Sequence, residues 1–163
     1  MSSSTAKPRL RRRATTNHPV ELGLLEDILG YHLRRAQTAN FQCFSKHLGG
    51  RNLSPGQFGL LCKIKYNPGI SQTALARAEG IERSTLGEII DRFEGRDLVE
   101  RRRHATDRRT YALHLTDKGN TFFKQVTPEV LAAEDELGQR LNKNELKTLI
   151  DMLKKLSSPA QDS

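Results

Sequence analysis

The chain has no apolar run approaching the about 18 residues that a membrane-spanning helix needs, so no span is expected. Its first residues lack the apolar segment of a secretory signal. Cysteine is scarce: Cys43 and Cys62 are the only two, too few for a disulfide framework. Together these absences lead us to expect a cytoplasmic chain with no membrane partner. Catalytic motifs are missing as well. There is no Gly-rich phosphate loop, no HExxH helix and no nucleophile elbow, so no catalytic residue and no enzyme activity is assigned. Glu134, Asp135 and Glu136 read as a solvated helix face. Cys43 and His47 lie one helical turn apart, but no third metal ligand is near them in sequence, and the five histidines are scattered. No metal and no cofactor is expected. No internal repeat is present.

What is there in excess is positive charge, and it is unevenly placed. The formal net charge is +8 over 163 residues. Residues 1–19 hold Lys7, Arg9, Arg11, Arg12 and Arg13 without one acid, leaving 22 basic against 19 acidic residues in the other 144. A Ser-, Thr- and Arg-rich stretch of this kind is expected to be a disordered basic tail. Two readings of it stay open: a grip on nucleic-acid phosphates, or a solvated tail. Residues 20–163 are expected to form one domain of ordinary size.

Apolar periodicity predicts a first long helix over about 20–48, through Leu22, Leu25, Leu29, Leu33, Ala36, Asn40, Phe44 and Leu48, ended by Gly49-Gly50. Ser54-Pro55 places an N-cap and a proline at the first helical position of a second helix, which stops at Asn67-Pro68-Gly69. Ile70 begins a brief extended piece, Ser71 caps a third helix and Gly80 ends it. A fourth helix follows over about 84–95, burying Leu86, Ile89, Ile90 and Phe93 and leaving Arg83, Ser84, Thr85, Gly87, Glu88, Asp91 and Arg92 outside. Helix, tight turn and exposed helix make a helix-turn-helix, in which the last element is placed for a major groove. Thr116 caps a fifth helix that Thr127-Pro128-Glu129 is expected to interrupt or kink. Asn142 with Glu145 reads as the capping box of a last helix carrying Leu146, Leu149, Ile150, Leu153 and Leu156.

Between the fourth and fifth helices lies Leu98-Val99, then a charged run, then an alternating strand from Thr110 to Leu115 with Tyr111, Leu113 and Leu115 on one face. This is a β-hairpin whose tip holds Arg101, Arg102, Arg103, Arg108 and Arg109 against Asp107 alone, +4 over residues 101–109. A narrow basic hairpin suits phosphates and a minor groove, where the potential is most negative. Charge alone leaves that reading level with a solvated loop.

Asp107-Arg108-Arg109, five further residues and Leu115-Thr116 resemble the DxRx5LT wing signature of the MarR family of transcriptional regulators. Gly80 through Val99 is similar to that family's recognition helix. The resemblance implies a mainly α fold with a small β-hairpin wing: a winged helix-turn-helix over about 54–116, with dimerisation helices over about 20–48 and 117–157. It implies that Asp107 braces the wing and that Arg109 enters the minor groove, with Arg108 sharing either job. Arg109 simply pairing with Asp107 remains the other reading. Arg83, Ser84, Thr85, Glu88, Arg92 and Arg103 complete the expected DNA contacts. Ser84 and Thr85 would bond phosphate or a base, helped by free backbone N–H groups, and Arg83 and Arg92 guanine edges or phosphates. Glu88 departs from the basic or hydroxyl residue common near there. It either accepts from cytosine N4 or orients Arg92 one turn on. Asp97 stands where relatives carry Gly, and an Asp tolerates the left-handed backbone that position needs.

One helix and one wing bury little surface, so the mechanism calls for a homodimer on double-stranded DNA, with two half-sites about one helical turn apart in a pseudo-palindromic operator. The resemblance further implies a repressor released by a small aromatic effector bound between the dimerisation helices and the winged domain. Residues 25–44 are also similar to regulators of aromatic-acid breakdown that answer to hydroxycinnamoyl-CoA thioesters. Tyr31, His32, Arg35, Asn40 and Phe44 are the candidate effector residues, because an Arg beside aromatic rings suits a carboxylate or phosphate-bearing ligand. Against this, Phe41 and Phe44 read more readily as core, and His32 as a satisfied helix histidine. Two alternatives stay open: an architectural DNA-binding protein without effector, and a redox-sensing repressor. For the second, Cys43 and Cys62 sit deep in helices and read as small buried hydrophobes.

Overall fold

A computed structural model describes residues 20–103 and 111–158. The basic tail at 1–19 and the wing tip at 104–110 therefore lie outside the described residues. The described elements are α1 (Leu29–Leu48), α2 (Pro55–Tyr66), β1 (Ile70–Ser71), α3 (Gln72–Glu79), α4 (Arg83–Gly95), β2 (Val99–Arg103), β3 (Tyr111–Leu115), α5 (Asp117–Gly138) and α6 (Lys143–Ser157). The fold is mainly α with a small antiparallel sheet, as the sequence indicates.

The expected start of the first helix is wrong. Gly23–Asp27 forms a 3-10 turn, and Ile28 is extended at φ −91°, ψ 109°. The cause is visible in the spacing. Leu22, Leu25 and Ile28 recur every three residues, the 3-10 period, and Leu25 N–H donates to Leu22 O at 3.1 Å while Ile28 N–H donates to Leu25 O at 3.3 Å. The α-helix begins only at Leu29.

The caps read from sequence are in place because each is a local side chain-to-backbone bond. Ser54 and Gln57 form a reciprocal capping box with Pro55 in the first turn of α2. Ser71 Oγ accepts from Ala74 N–H, Thr116 Oγ1 from Gly119 N–H, and Asn142 Oδ1 from Glu145 N–H. Gly80 ends α3 at φ +70°, a left-handed conformation that costs glycine little. In contrast, α5 runs unbroken through Pro128, correcting the expected interruption. Pro128 sits on the exposed side of the helix, where the missing N–H removes one helical bond without ending the helix.

The sheet has strand order β1-β3-β2, with Ile70 opposite Leu113, Val99 opposite Leu115 and Arg103 opposite Tyr111. The brief extended piece at Ile70 is thus a third strand beside the wing hairpin. One core, made of Leu60, Leu61, Ile64, Leu75, Leu86, Ile90, Phe93, Leu98, Val99, Leu113 and Phe123, joins α2, α3, α4 and the sheet to the start of α5. A second cluster, Phe44, Leu48, Val126 and Val130, joins α1 to α5. Of the β3 face expected to be apolar, Leu113 is buried and Leu115 packs against the core, but Tyr111 is half exposed, and Ala112 on the other face is buried as well, so burial does not alternate.

The corner between wing and α5 is tight. A Cβ at Gly119 would lie 1.9 Å from the Leu98 carbonyl oxygen, so only glycine fits there. Thr116 Oγ1 donates to the Asp97 carbonyl at 2.6 Å, and Asp97 adopts φ +58°, the left-handed backbone expected of it. The wing base is thereby seated on the first turn of α5.

α6 is built differently. It is strongly one-sided in sequence, yet none of its residues is buried. Leu146, Leu149, Ile150, Met152, Leu153 and Leu156 are all exposed, as are Leu24, Leu25, Ile28, Leu29 and Leu33 at the other end of the chain.

Candidate nucleic-acid interface

The helix-turn-helix is held together by backbone geometry. Ile81 N–H donates to Ala76 O at 3.1 Å, closing the turn after Gly80. Leu86, Ile90 and Phe93 anchor α4 in the core. Gly87, expected outside, instead faces α3: a Cβ there would meet Gln72 Nε2 at 3.2 Å, and that amide reaches back toward the Arg83 carbonyl.

The outer face of α4 is exposed at Arg83, Ser84, Thr85, Glu88, Asp91 and Arg92. Its N-cap, Glu82, makes no side-chain cap bond, and the first helical bond is Leu86 N–H to Glu82 O at 3.0 Å. The N–H groups of Arg83, Ser84 and Thr85 therefore have no helical acceptor and sit at the positive end of the helix dipole, an arrangement suited to anionic oxygens. Arg92 folds back along its own helix: Nε donates to the Glu88 carbonyl at 3.2 Å, and Nη2 lies 3.9 Å from Glu88 Oε2. Both ends of this loose pair are mostly in water, so it holds Arg92 only weakly.

The basic hairpin carries less open charge than its sequence suggests. Arg101 pairs with Asp91 at 2.8 Å and with Glu94, both on α4, while its backbone N–H donates to Glu94 Oε1 at 3.1 Å. Arg102 donates to Glu100, and this bond holds the Glu100 carboxyl below the usual carboxylate range. Arg103 is exposed at the end of β2. Asp107, Arg108 and Arg109 lie outside the described residues. The sequence reading missed Asp91 and Glu94 as partners of Arg101. The available signal was two acids three apart near the end of α4, a few residues before the arginine run of β2.

The five candidate effector residues are spread along α1. Tyr31 is half-buried, with its ring edge-on to His32 at 5.4 Å. His32 Nε2 donates to the Glu26 carbonyl at 2.7 Å, tying the 3-10 turn to the helix. Arg35 is exposed and Asn40 half-buried. Phe44 packs in the core against Leu48, Val126 and Val130. With about 3.6 residues per turn, Asn40 and Phe44 lie roughly half a turn around the helix from Tyr31 and Arg35. Within one chain, then, the five do not line a common wall.

Further along, α1 is clasped to α5 by charge. Glu136 accepts from Lys46 Nζ at 2.8 Å and from His47 Nε2 at 2.9 Å, and these bonds hold its carboxyl below the usual range. Glu129 accepts from Arg51 Nε at 3.1 Å and is lowered in the same way. Arg96 donates to the Asn52 and Arg51 carbonyls at 2.7 and 3.0 Å, with its guanidinium 5.1 Å above the Phe122 ring. Cys43 and Cys62 are half-buried, and burial pushes the Cys62 thiol up, which disfavours the reactive thiolate. Among the described residues no helix is long and apolar enough to cross a membrane.

A MarR family model matches residues 53–111, from the loop before α2 to the start of β3. The chain is 36% identical over 135 residues to the putative transcriptional regulatory protein for the hcr operon of Thauera aromatica, covering 82% of this chain and 81% of that one. It is similar to the transcriptional repressor CouR bound to a 23-mer DNA duplex, at 34% identity and TM-score 0.81, covering 86% of this chain and 100% of the other. CouR bound to p-coumaroyl-CoA matches at 32% identity and TM-score 0.77, covering 88% and 99%.

Proposed function

The chain belongs to the MarR family of transcriptional regulators, and on that premise we propose that it is a repressor that binds a pseudo-palindromic operator as a homodimer and leaves it when a small aromatic effector binds. The observation that carries the reading is the exposed, uncapped first turn of α4 at Arg83, Ser84 and Thr85, held beside the β2–β3 wing. In the proposal that turn enters the major groove, with Glu88 and Arg92 against base edges or phosphates. Arg103, Arg108 and Arg109 follow the backbone into the flanking minor groove, with Asp107 bracing the wing. Residues 1–19 form a basic tail that adds phosphate contacts, and residues 20–163 form one domain.

The dimer is supported by the apolar faces that one chain leaves in water. α6 and the segment from Leu24 to Leu33 would bury each other's counterparts across a two-fold axis. Such a seam would bring Tyr31, His32 and Arg35 of the two chains near one another as effector contacts, while Phe44, buried against α5, and Asn40 on its side of α1 would lie behind that wall. An aromatic acid or its CoA thioester fits the Arg35 and ring chemistry, and CouR is a relative whose structure holds p-coumaroyl-CoA. Release is a population shift: the effector must prefer a dimer whose reading heads no longer match the half-site spacing.

The test is fluorescence anisotropy on the chain's own upstream DNA at fixed salt, with and without p-coumaroyl-CoA. Specific binding reversed by the thioester supports repressor and effector class together. Specific binding that ignores it keeps the repressor and rejects this effector. Comparable affinity for any duplex would instead mean an architectural protein.

A further inference from the structure

Arg101 lies in the basic run of the wing, yet its surroundings are not those of a phosphate ligand. Its side chain is 21% exposed, whereas that of Arg102 next to it is 59% exposed. The guanidinium meets two carboxylates, Asp91 and Glu94, one turn apart on the face of α4 that turns toward the hairpin. Glu94 also takes the Arg101 backbone N–H at 3.1 Å, so one carboxylate fixes both the side chain and the main chain of β2 at this residue. β2 is an edge strand in the order β1-β3-β2, and this bond occupies a donor that faces away from β3. The strand that carries the wing is thus bolted to the helix proposed to read the major groove.

We propose that Arg101 is a positioning residue: through Asp91 and Glu94 it sets the angle between α4 and the wing, so that both grooves are met in register, and it makes no phosphate contact itself. This rests on the DNA-binding reading above and names residues for it outside the DNA-contact set. The consequence has an unusual sign. Removing a carboxylate beside a DNA-binding face normally strengthens binding, because the acid repels the backbone. Here, loss of the Glu94 charge should weaken it.

The experiment compares wild type, Glu94→Gln, Arg101→Gln and the double variant on the chain's own upstream duplex and on a scrambled one, by anisotropy over a salt series. Hydroxyl-radical footprinting and thermal unfolding accompany it. Gln keeps the shape and acceptor oxygen of Glu94, so Glu94→Gln remains informative if Arg101→Gln folds poorly. Each single variant should lose about tenfold in affinity, the scale on which contacting pairs couple, and the double variant no more than the weaker single. The salt slope should stay as in wild type. Minor-groove protection at the flanks should fade while protection under α4 persists, a split that mere loss of stability would not give. Equal or tighter binding by Glu94→Gln, or a salt slope lowered by about one unit in Arg101→Gln, would overturn the proposal and make Arg101 a phosphate contact. A wild-type protein that does not distinguish the two duplexes overturns the DNA-binding reading itself, and the proposal with it.

Discussion

The winged half of the chain and its terminal helix solve the burial problem in opposite ways. Around α4 and the sheet, Leu75, Leu86, Ile90 and Leu113 are fully enclosed by their own chain. Along α6 the corresponding leucines stay open, Leu149 at 43% and Leu156 at 58% exposed. An amphipathic helix without a buried residue is stable only if something covers its face. The first region folds to present a surface, and the second leaves an apolar face open, the face that the proposed dimer would cover.

The comparison breaks most visibly at α6. Leu149→Glu with Leu153→Glu should leave the winged core folded but give a monomer, with operator affinity down by about a thousandfold through loss of two-headed binding. Sedimentation and anisotropy check both effects, and a dimer that survives would place the interface elsewhere. Leu86→Ala should do the reverse: lower stability by about 2–5 kcal/mol in denaturant unfolding, at every protein concentration. Arg109→Ala should weaken operator binding by about 1–3 kcal/mol if that side chain reads the groove, and unchanged affinity would assign it to the fold alone. Asn142→Ala, which removes the capping box of α6, should cost about 1 kcal/mol and make the dimer dissociate more readily.

The smallest effect is a pH dependence of the α1–α5 clasp. Glu136 and Glu129 are held below their unfolded value of 4.5 by Lys46, His47 and Arg51. Their contribution is present above that value and is lost as pH falls through the lower, folded values. The thermal midpoint of wild type should therefore drop more steeply than that of Glu136→Gln on acidification below the carboxylate range. Parallel curves would show that the clasp adds nothing.

What sequence alone made legible was local. Ser54, Ser71, Thr116 and Asn142 bond to backbone N–H groups two or three residues on, so their spacing announces helix starts. Gly80 marks a left-handed turn for an equally local reason, and Asp97 is expected in one because it stands where relatives carry Gly. What stayed hidden depends on distant partners. β1 joins the sheet only because β3 returns beside it, 41 to 43 residues on, by the register Ile70–Leu113 and Ser71–Ala112. Arg101 counts as open charge until α4 supplies Asp91 and Glu94. The 3-10 turn at Gly23–Asp27 was masked by leucines whose spacing of three also fits an α-helix. For the candidate site, the reading face of α4 followed from periodicity, whereas the effector residues fall on two sides of α1, a division that a single chain leaves unresolved into one wall.

The central claim is that two copies, joined through faces that one copy leaves open, read one operator. The most direct measurement is the mass of the complex formed with the chain's own upstream duplex at micromolar protein, by sedimentation. The account predicts two chains per duplex, with two protected half-sites centred about one helical turn apart. One chain per duplex would contradict it.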